Sequence, residues 1–303
     1  MILVYCFIGT LPSYVIDTIH QARLFYDGEI YFIISDYTSK YLHLLKEKYN
    51  VSIIKYDDII STEFNDTINT YINKFEIVPN LKGREKLFIY SFERFFSLYN
   101  LMDKHNISNV FFVELDNLLY DDPRKWEEQF SKKDCAFMFD HYERCASGIF
   151  YVKNKETLLK INNSFLDYIT HSSKFMSEMG ALYEFWNENK DIIQILPTIW
   201  YSAINPNMTY DNYDKYNNTI FDAAAIGIYL GGMDPHHTNG IIVKGKKWHH
   251  SLLDYTIYKY KWHEDEQGRK VPFIFNTDSN TWIKINNLHI HSKQLADCLS
   301  KQL

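Results

Sequence analysis

The chain opens on an unbroken apolar run, ILVYCFIG at residues 2–9, closed by a glycine. A run without polar alternation suits a strand buried on both faces, as parallel strands are. The same signature returns in EIYFIISD at 29–36, VSIIKY at 51–56 and NVFFVELD at 109–116. Between these runs the period changes to that of a helix, over residues 11–25 with Pro12 near the start, over 39–49, and over 86–105. Repeated strand–helix units predict a parallel sheet with helices on both faces. Ligands bind such sheets beyond the carboxyl ends of the strands, which is where Glu114 and Asp116 fall.

The second half is less regular. CAFMFD at 135–140 and SGIFYVKN at 147–154 read as a hairpin-like antiparallel excursion, followed by helices over 155–170 and 175–189 and a strand over 192–201. Residues 204–220 are polar and read as a loop. FDAAAIGIYLGG at 221–232 reads as a short helix with Asp222 as its N-cap and glycines at its end. TWIKINNLHIHSK at 281–293 reads as a strand with alternating histidines. The expected fold is therefore α/β: a Rossmann-like, mostly parallel central sheet flanked by helices, with a small antiparallel excursion, in one domain over 1–303.

Composition changes this picture little. Apolar residues make up 46% of the 303 residues and charged residues 23%, an ordinary globular balance. The net charge of −6, without a basic block, argues against nucleic acid as a partner. No apolar run is long enough for a transmembrane helix, and MILVYCFIGTLP lacks the basic start of a secretion signal. The four cysteines, Cys6, Cys135, Cys145 and Cys298, form no CxxC pair and suit reduced thiols. The expected location is cytoplasmic, in a host cell if the source is a virus, with room for peripheral association with a membrane.

Four groups of residues carry candidate chemistry. Glu114 and Asp116 stand one residue apart, so a strand would point both to one face. They are either a solvated strand end or ligands for a hard divalent cation, which takes oxygen ligands and substrate phosphates. His289 and His291 share the opposite face from Leu288 and Ile290, as polar residues of a half-exposed strand or as nitrogen ligands suited to manganese. Lys293, two residues on, is placed to meet phosphate as a point charge. Asp222 and Glu178 are each either a helix-start acid or a base for an acceptor hydroxyl. Arg94 in SFERFF is either a surface ion pair or a phosphate contact, and Asp36 either a cap for the next helix or a reader of a base or ribose. His236–His237 and His249–His250 read as loop residues, because adjacent histidines on a strand face opposite ways and neither pair has ligands at zinc spacing.

The order of these motifs resembles that of metal-dependent glycosyltransferases of the GT-A fold. The strand and turn VYCFIGTLPSY match that family's start, so the resemblance places Ile8 and Gly9 against the nucleotide. Asp36 in FIISD matches its nucleotide-contacting acid and Arg94 its helix arginine. ELD at 114–116 matches the D-x-D motif with Glu in first place, which implies Asp116 as metal ligand and Glu114 near the ribose or a metal-bound water. CASGIFYVKN looks like the small-residue turn that follows, and NNLHIHSK like the late histidine and lysine. The resemblance implies a nucleotide-binding half over 1–120, an acceptor and metal-completing half over 121–293 and a tail over 294–303. It implies Mn²⁺ or Mg²⁺, a UDP-sugar as donor and a glycan or glycolipid as acceptor. The lysine lies closer to the histidines than in the family's pattern, so His289 and His291 both stand as ligands. The helix at 221–232 has no family counterpart, so Asp222 as base rests on its residue type alone. Two other readings compete: a nucleotidyltransferase that makes the activated sugar, which wants a glycine-rich N-terminal loop, and a non-catalytic carbohydrate-binding protein.

Overall fold

A computed structural model describes residues 1–60, 66–68, 70, 85–173, 175–200, 213–232 and 255–302. His236, His237, His249, His250 and most of the expected loop over 204–220 lie outside the described residues. Strands and helices are numbered along the chain. The central sheet contains β1 (Ile2–Phe7), β2 (Ile30–Ile34), β3 (Val51–Lys55), β4 (Val110–Val113), β6 (Cys135–His141), β7 (Arg144–Val152) and β8 (Ile193–Leu196). Their order is β3-β2-β1-β4-β7-β6-β8. β7 alone is antiparallel, to both β4 and β6; the pairings β3–β2, β2–β1, β1–β4 and β6–β8 are parallel. The mostly parallel α/β architecture expected from the sequence is thus present. The chain leaves β1 towards β3 on one side and returns as β4 on the other, which opens a crevice at the carboxyl ends of β1 and β4.

The strands read as continuous apolar runs because each alternates between two cores. Leu3 and Tyr5 of β1 pack with Val15, Ile19 and Ala22 of helix α1 (Val15–Phe25) and with Leu45 of α2 (Leu42–Glu47). Val4 and Phe112 pack on the other face, against Phe92, Phe95 and Leu98 of α3 (Glu85–His105). Phe165 of α5 (Lys155–His171) and Phe185 of α6 (Glu178–Glu188) complete that layer, while α4 (Glu127–Phe130) joins the first. Burying each such side chain stabilises the fold by about 1.5–3 kcal/mol.

The hairpin expected over 135–154 forms, but as β6 and β7 inside the central sheet and not beside it. A separate antiparallel sheet, unforeseen, is built by β9 (Tyr260–Glu264), β10 (Lys270–Asn276) and β11 (Thr281–Lys284). The strand expected over 281–293 is therefore two. Buried Asn286 donates its backbone N–H to Ile220 O, and the chain turns from β11 into β12 (Asn287–His289). β12 pairs with β5 (Asn117–Leu119), the segment that directly follows the acidic pair. β8 stops at Leu196, where Pro197 has no N–H for the ladder. Helix α7 (Ala225–Gly231) starts three residues after Asp222.

Candidate active site

β4 ends at Val113, so Glu114 and Asp116 are not on a strand as their spacing suggested. They occupy a tight turn in which Asn117 N–H donates to Glu114 O at 3.0 Å. The turn is fixed from three directions. Glu114 N–H donates to Gly148 O at 2.9 Å, Ile290 N–H donates to Asp116 O at 2.8 Å, and the Thr18 hydroxyl of α1 donates to Leu115 O at 2.5 Å. β12 then delivers His289 beside it. Nε2 of His289 lies 3.0 Å from Glu114 Oε2 and 3.3 Å from Asp116 Oδ1. Among the described residues, Glu114, Asp116 and His289 form a cluster whose ligand atoms all lie within 4.8 Å of one another.

These three residues fit a divalent cation. Two carboxylates and an imidazole are a donor set for manganese, and for magnesium when waters complete the shell. Separations near 3 Å suit neighbouring positions of one octahedral shell with bonds of about 2.1 Å. The ring is also set for ligation. Nδ1 of His289 lies 3.1 Å from Ala223 O and donates to it, which leaves the Nε2 lone pair facing the acids. Gly148 makes room for this ring, since a Cβ there would lie 3.0 Å from His289 Nδ1. Burial raises the Asp116 carboxyl, but the Lys293 ammonium and the His289 ring outweigh it and hold it well below the usual range. Asp116 is therefore ionised and ready to bind a cation.

The other predicted residues divide. His291 stands in the turn after β12, with its ring edge-on to His289 at 4.4 Å between centroids. It stands outside the cluster, and burial, helped by His289 and Lys293 against the pull of Asp116, pushes it down to about 3, so it is neutral. Lys293 pairs with Asp116. Its backbone is left-handed, with φ of 65°, which turns the chain so that the side chain reaches back to the acid. Arg94 is largely buried and pairs with acids of the site itself. Nη1 pairs with Glu114, while Nη2 lies 2.7 Å from both Glu178 Oε1 and Ser147 Oγ.

Asp222 is buried and lies behind the cluster. Oδ1 accepts from Ile226 N–H at 2.9 Å, and Oδ2 from Gly227 N–H at 2.7 Å and His289 N–H at 3.0 Å. Both oxygens are thus taken by backbone: Asp222 is not the N-cap residue, which is Ala224, but its carboxylate accepts from amides of the first turn of α7 and anchors β12. Burial raises its carboxyl despite these amides. Ile8, Gly9 and Asp36 stand at the carboxyl ends of β1 and β2. Gly9 has φ of 120° and donates its N–H to Ser35 Oγ at 2.7 Å. Asp36 accepts from Leu11 N–H at 3.1 Å and from the Thr38 hydroxyl at 3.1 Å, which ties the two loops together. Ser147, Gly148, Asn117 and Ala223 complete the site and carried no signal of their own in the sequence. Only the small-residue pair in CASGIF marked the place.

No family model and no curated protein matches the sequence. Solved structures of similar shape include glycosyltransferases and a putative glucose-1-phosphate thymidylyltransferase of Bacillus anthracis, the latter 11% identical with a TM-score of 0.35 over 64% of this chain and 86% of that one. The PaToxG glycosyltransferase is 13% identical with a TM-score of 0.41, over 62% of this chain and 69% of that one. Mouse xyloside xylosyltransferase 1, in its apo form, is 10% identical with a TM-score of 0.42, over 70% and 90%. The glycosyltransferase GlyE of Streptococcus pneumoniae TIGR4 is 14% identical with a TM-score of 0.41, over 64% and 45%.

Proposed function

We propose that this protein is a metal-dependent glycosyltransferase that moves a sugar from a nucleoside diphosphate sugar, a UDP-sugar by its motif order, to a hydroxyl of a glycan or glycolipid. The observation that carries this reading is the Glu114–Asp116–His289 cluster at the carboxyl end of β4, beside the crevice between β1 and β4. These three residues would hold Mn²⁺ or Mg²⁺. Held there, such a cation would supply positive charge against the negative charge that develops on the departing diphosphate.

The chain's own groups do the rest. Lys293, beside Asp116, adds a second positive charge where the diphosphate would lie. The loops after β1 and β2, joined through Gly9, Ser35 and Asp36, shape the place for the nucleoside. In the transfer, the acceptor oxygen bonds to the anomeric carbon as the bond from that carbon to the diphosphate breaks. The acceptor's proton goes to a carboxylate base or to the departing phosphate oxygen, and the stereochemistry of the product separates these routes. Asp222, its carboxylate engaged by three amides, is assigned to structure, which leaves Glu178 as the other candidate carboxylate, linked to the cluster through Arg94.

The test is a panel of nucleotide sugars with and without Mn²⁺, with free nucleoside diphosphate as the readout. Release with one donor, dependent on Mn²⁺ and lost in Asp116→Ala, is expected. Release of pyrophosphate from a nucleoside triphosphate would instead identify a nucleotidyltransferase. If no nucleotide sugar is bound or cleaved, the transferase reading fails.

A further inference from the structure

The Glu114 carboxylate is shared between two neighbours. Oε2 faces His289, while Oε1 is held by Arg94 Nη1. An arginine beside a metal ligand raises a difficulty, because its fixed positive charge opposes a cation and competes for the same acid. The structure shows how this is offset. Nη2 of Arg94 is drawn off by Glu178 Oε1 at 2.7 Å and by Ser147 Oγ at 2.7 Å, and the Ser147 hydroxyl itself donates to Glu178 Oε1 at 2.5 Å. Arg94, Ser147 and Glu178 therefore form a closed ring of hydrogen bonds spanning α3, β7 and α6. The ring is largely shielded from water, with the Glu178 side chain 5% exposed and that of Arg94 13% exposed. Charge–charge interactions are strong at such depth.

A charge count shows what Glu178 contributes. Glu114, Asp116 and Glu178 carry three negative charges, and Arg94 and Lys293 carry two positive ones. With Glu178 the cluster has a net charge of −1 and attracts a divalent cation. Without it the cluster is neutral, and Arg94 is left with Glu114 as its only acid partner among the described residues.

We propose that Glu178 and Ser147 are positioning residues for the metal centre: they hold and neutralise Arg94 so that Glu114 turns Oε2 to the cation. This rests on the reading of Glu114, Asp116 and His289 as a cation site. It differs from a role for Glu178 as base, which would affect turnover and leave metal affinity alone.

Mn²⁺ titration followed by electron paramagnetic resonance, without any donor sugar, tests it. Glu178→Gln keeps the shape and removes the charge, and its Mn²⁺ Kd is expected to rise about 10–100-fold, the usual effect of losing a group behind the ligands. Ser147→Ala is expected to weaken binding in the same direction by a smaller factor, and serves as the readout if Glu178→Gln does not fold. Removing Arg94 as well, in Arg94→Met with Glu178→Gln, takes away the uncompensated charge and is expected to recover part of the lost affinity. A Glu178→Gln protein that binds Mn²⁺ as tightly as the parent overturns the proposal. So does a double variant that binds no better than Glu178→Gln alone. A parent protein that binds no Mn²⁺ overturns the cation site itself, which is a separate failure.

Discussion

Position 148 shows how closely the site is fitted. A Cβ built on Gly148 would lie 2.8 Å from Asn117 Nδ2 and 3.0 Å from His289 Nδ1. Neither neighbour is free to move, since Asn117 Oδ1 accepts from Asn287 Nδ2 at 2.8 Å and the His289 ring is tied to Ala223 O. Gly148→Ala is expected to swing the imidazole off the cluster, weakening Mn²⁺ about 10–100-fold and costing ~1–3 kcal/mol of stability from overpacking. A Mn²⁺ titration and a urea melt read the two effects, and unchanged affinity would refute the account. Glu93 offers a residue-level test away from the ligands. It is buried on α3 and no described cation pairs with it, and burial raises its carboxyl from 4.5 to about 7. Between those pH values the folded chain keeps a proton that the unfolded chain has released. Stability from this group is therefore full below about 4.5, falls as pH rises to about 7, and stays lost above that. Glu93→Gln is expected to raise the melting temperature at pH 8 and to change it little at pH 4. The opposite ordering would refute the assignment.

The short helix α7 is held against β12 by an approach only glycine allows. A Cβ on Gly227 would lie 2.2 Å from the carbonyl oxygen of His289 and 2.7 Å from its nitrogen. These are backbone atoms and cannot rotate aside. Gly227→Ala is expected to part the helix from the strand, and with it the three amides that Asp222 gathers. Hydrogen exchange at Ile226, Gly227 and His289 should then speed up together while the β1 and β4 amides stay protected; protection that stays unchanged at α7 would disprove this. Contacts of this kind explain what the sequence reading missed. The inner strands of the central sheet were legible because both of their faces are largely buried, so ILVYCFIG and VFFV carry their own signature. The turn at 114–116 was not, because β5 exists only through its pairing with β12, as the bond from Asn287 to Asn117 across 170 residues shows. The histidine alternation rightly brought the two rings together, with 4.4 Å between centroids, but β12 ends at His289, so His291 stands in the turn that follows. Glu114, Asp116 and His289 could be singled out as candidates from their residue types. The ring behind Glu114 could not, because Arg94, Ser147 and Glu178 come from three separate elements.

The site draws on both ends of the chain. Glu114 and Asp116 follow the fourth strand of the sheet, whereas His289 arrives with the last strand. Further ties hold that last segment to the first half. Gln21 of α1 donates to Ser300 Oγ at 2.8 Å and accepts from Ser300 N–H at 2.9 Å, and the Tyr120 hydroxyl donates to Cys298 O at 2.6 Å. The three candidate ligands therefore come together only in the folded chain, and the unfolded chain offers a cation no comparable site. A cation bound to the folded state alone stabilises it by RT ln(1 + [L]/Kd), about 2.7 kcal/mol at a hundredfold excess over Kd. For a chain of this size each kcal/mol raises the melting temperature by roughly 2–4 °C, so saturating Mn²⁺ should raise it by about 5–10 °C. Asp116→Ala should melt at one temperature with or without Mn²⁺, and His289→Ala should show the same loss although it lies at the far end of the sequence. A Mn²⁺ shift that survives in both variants would mean the cation binds elsewhere, and that the two ends of the chain meet at Glu114 for structural reasons alone.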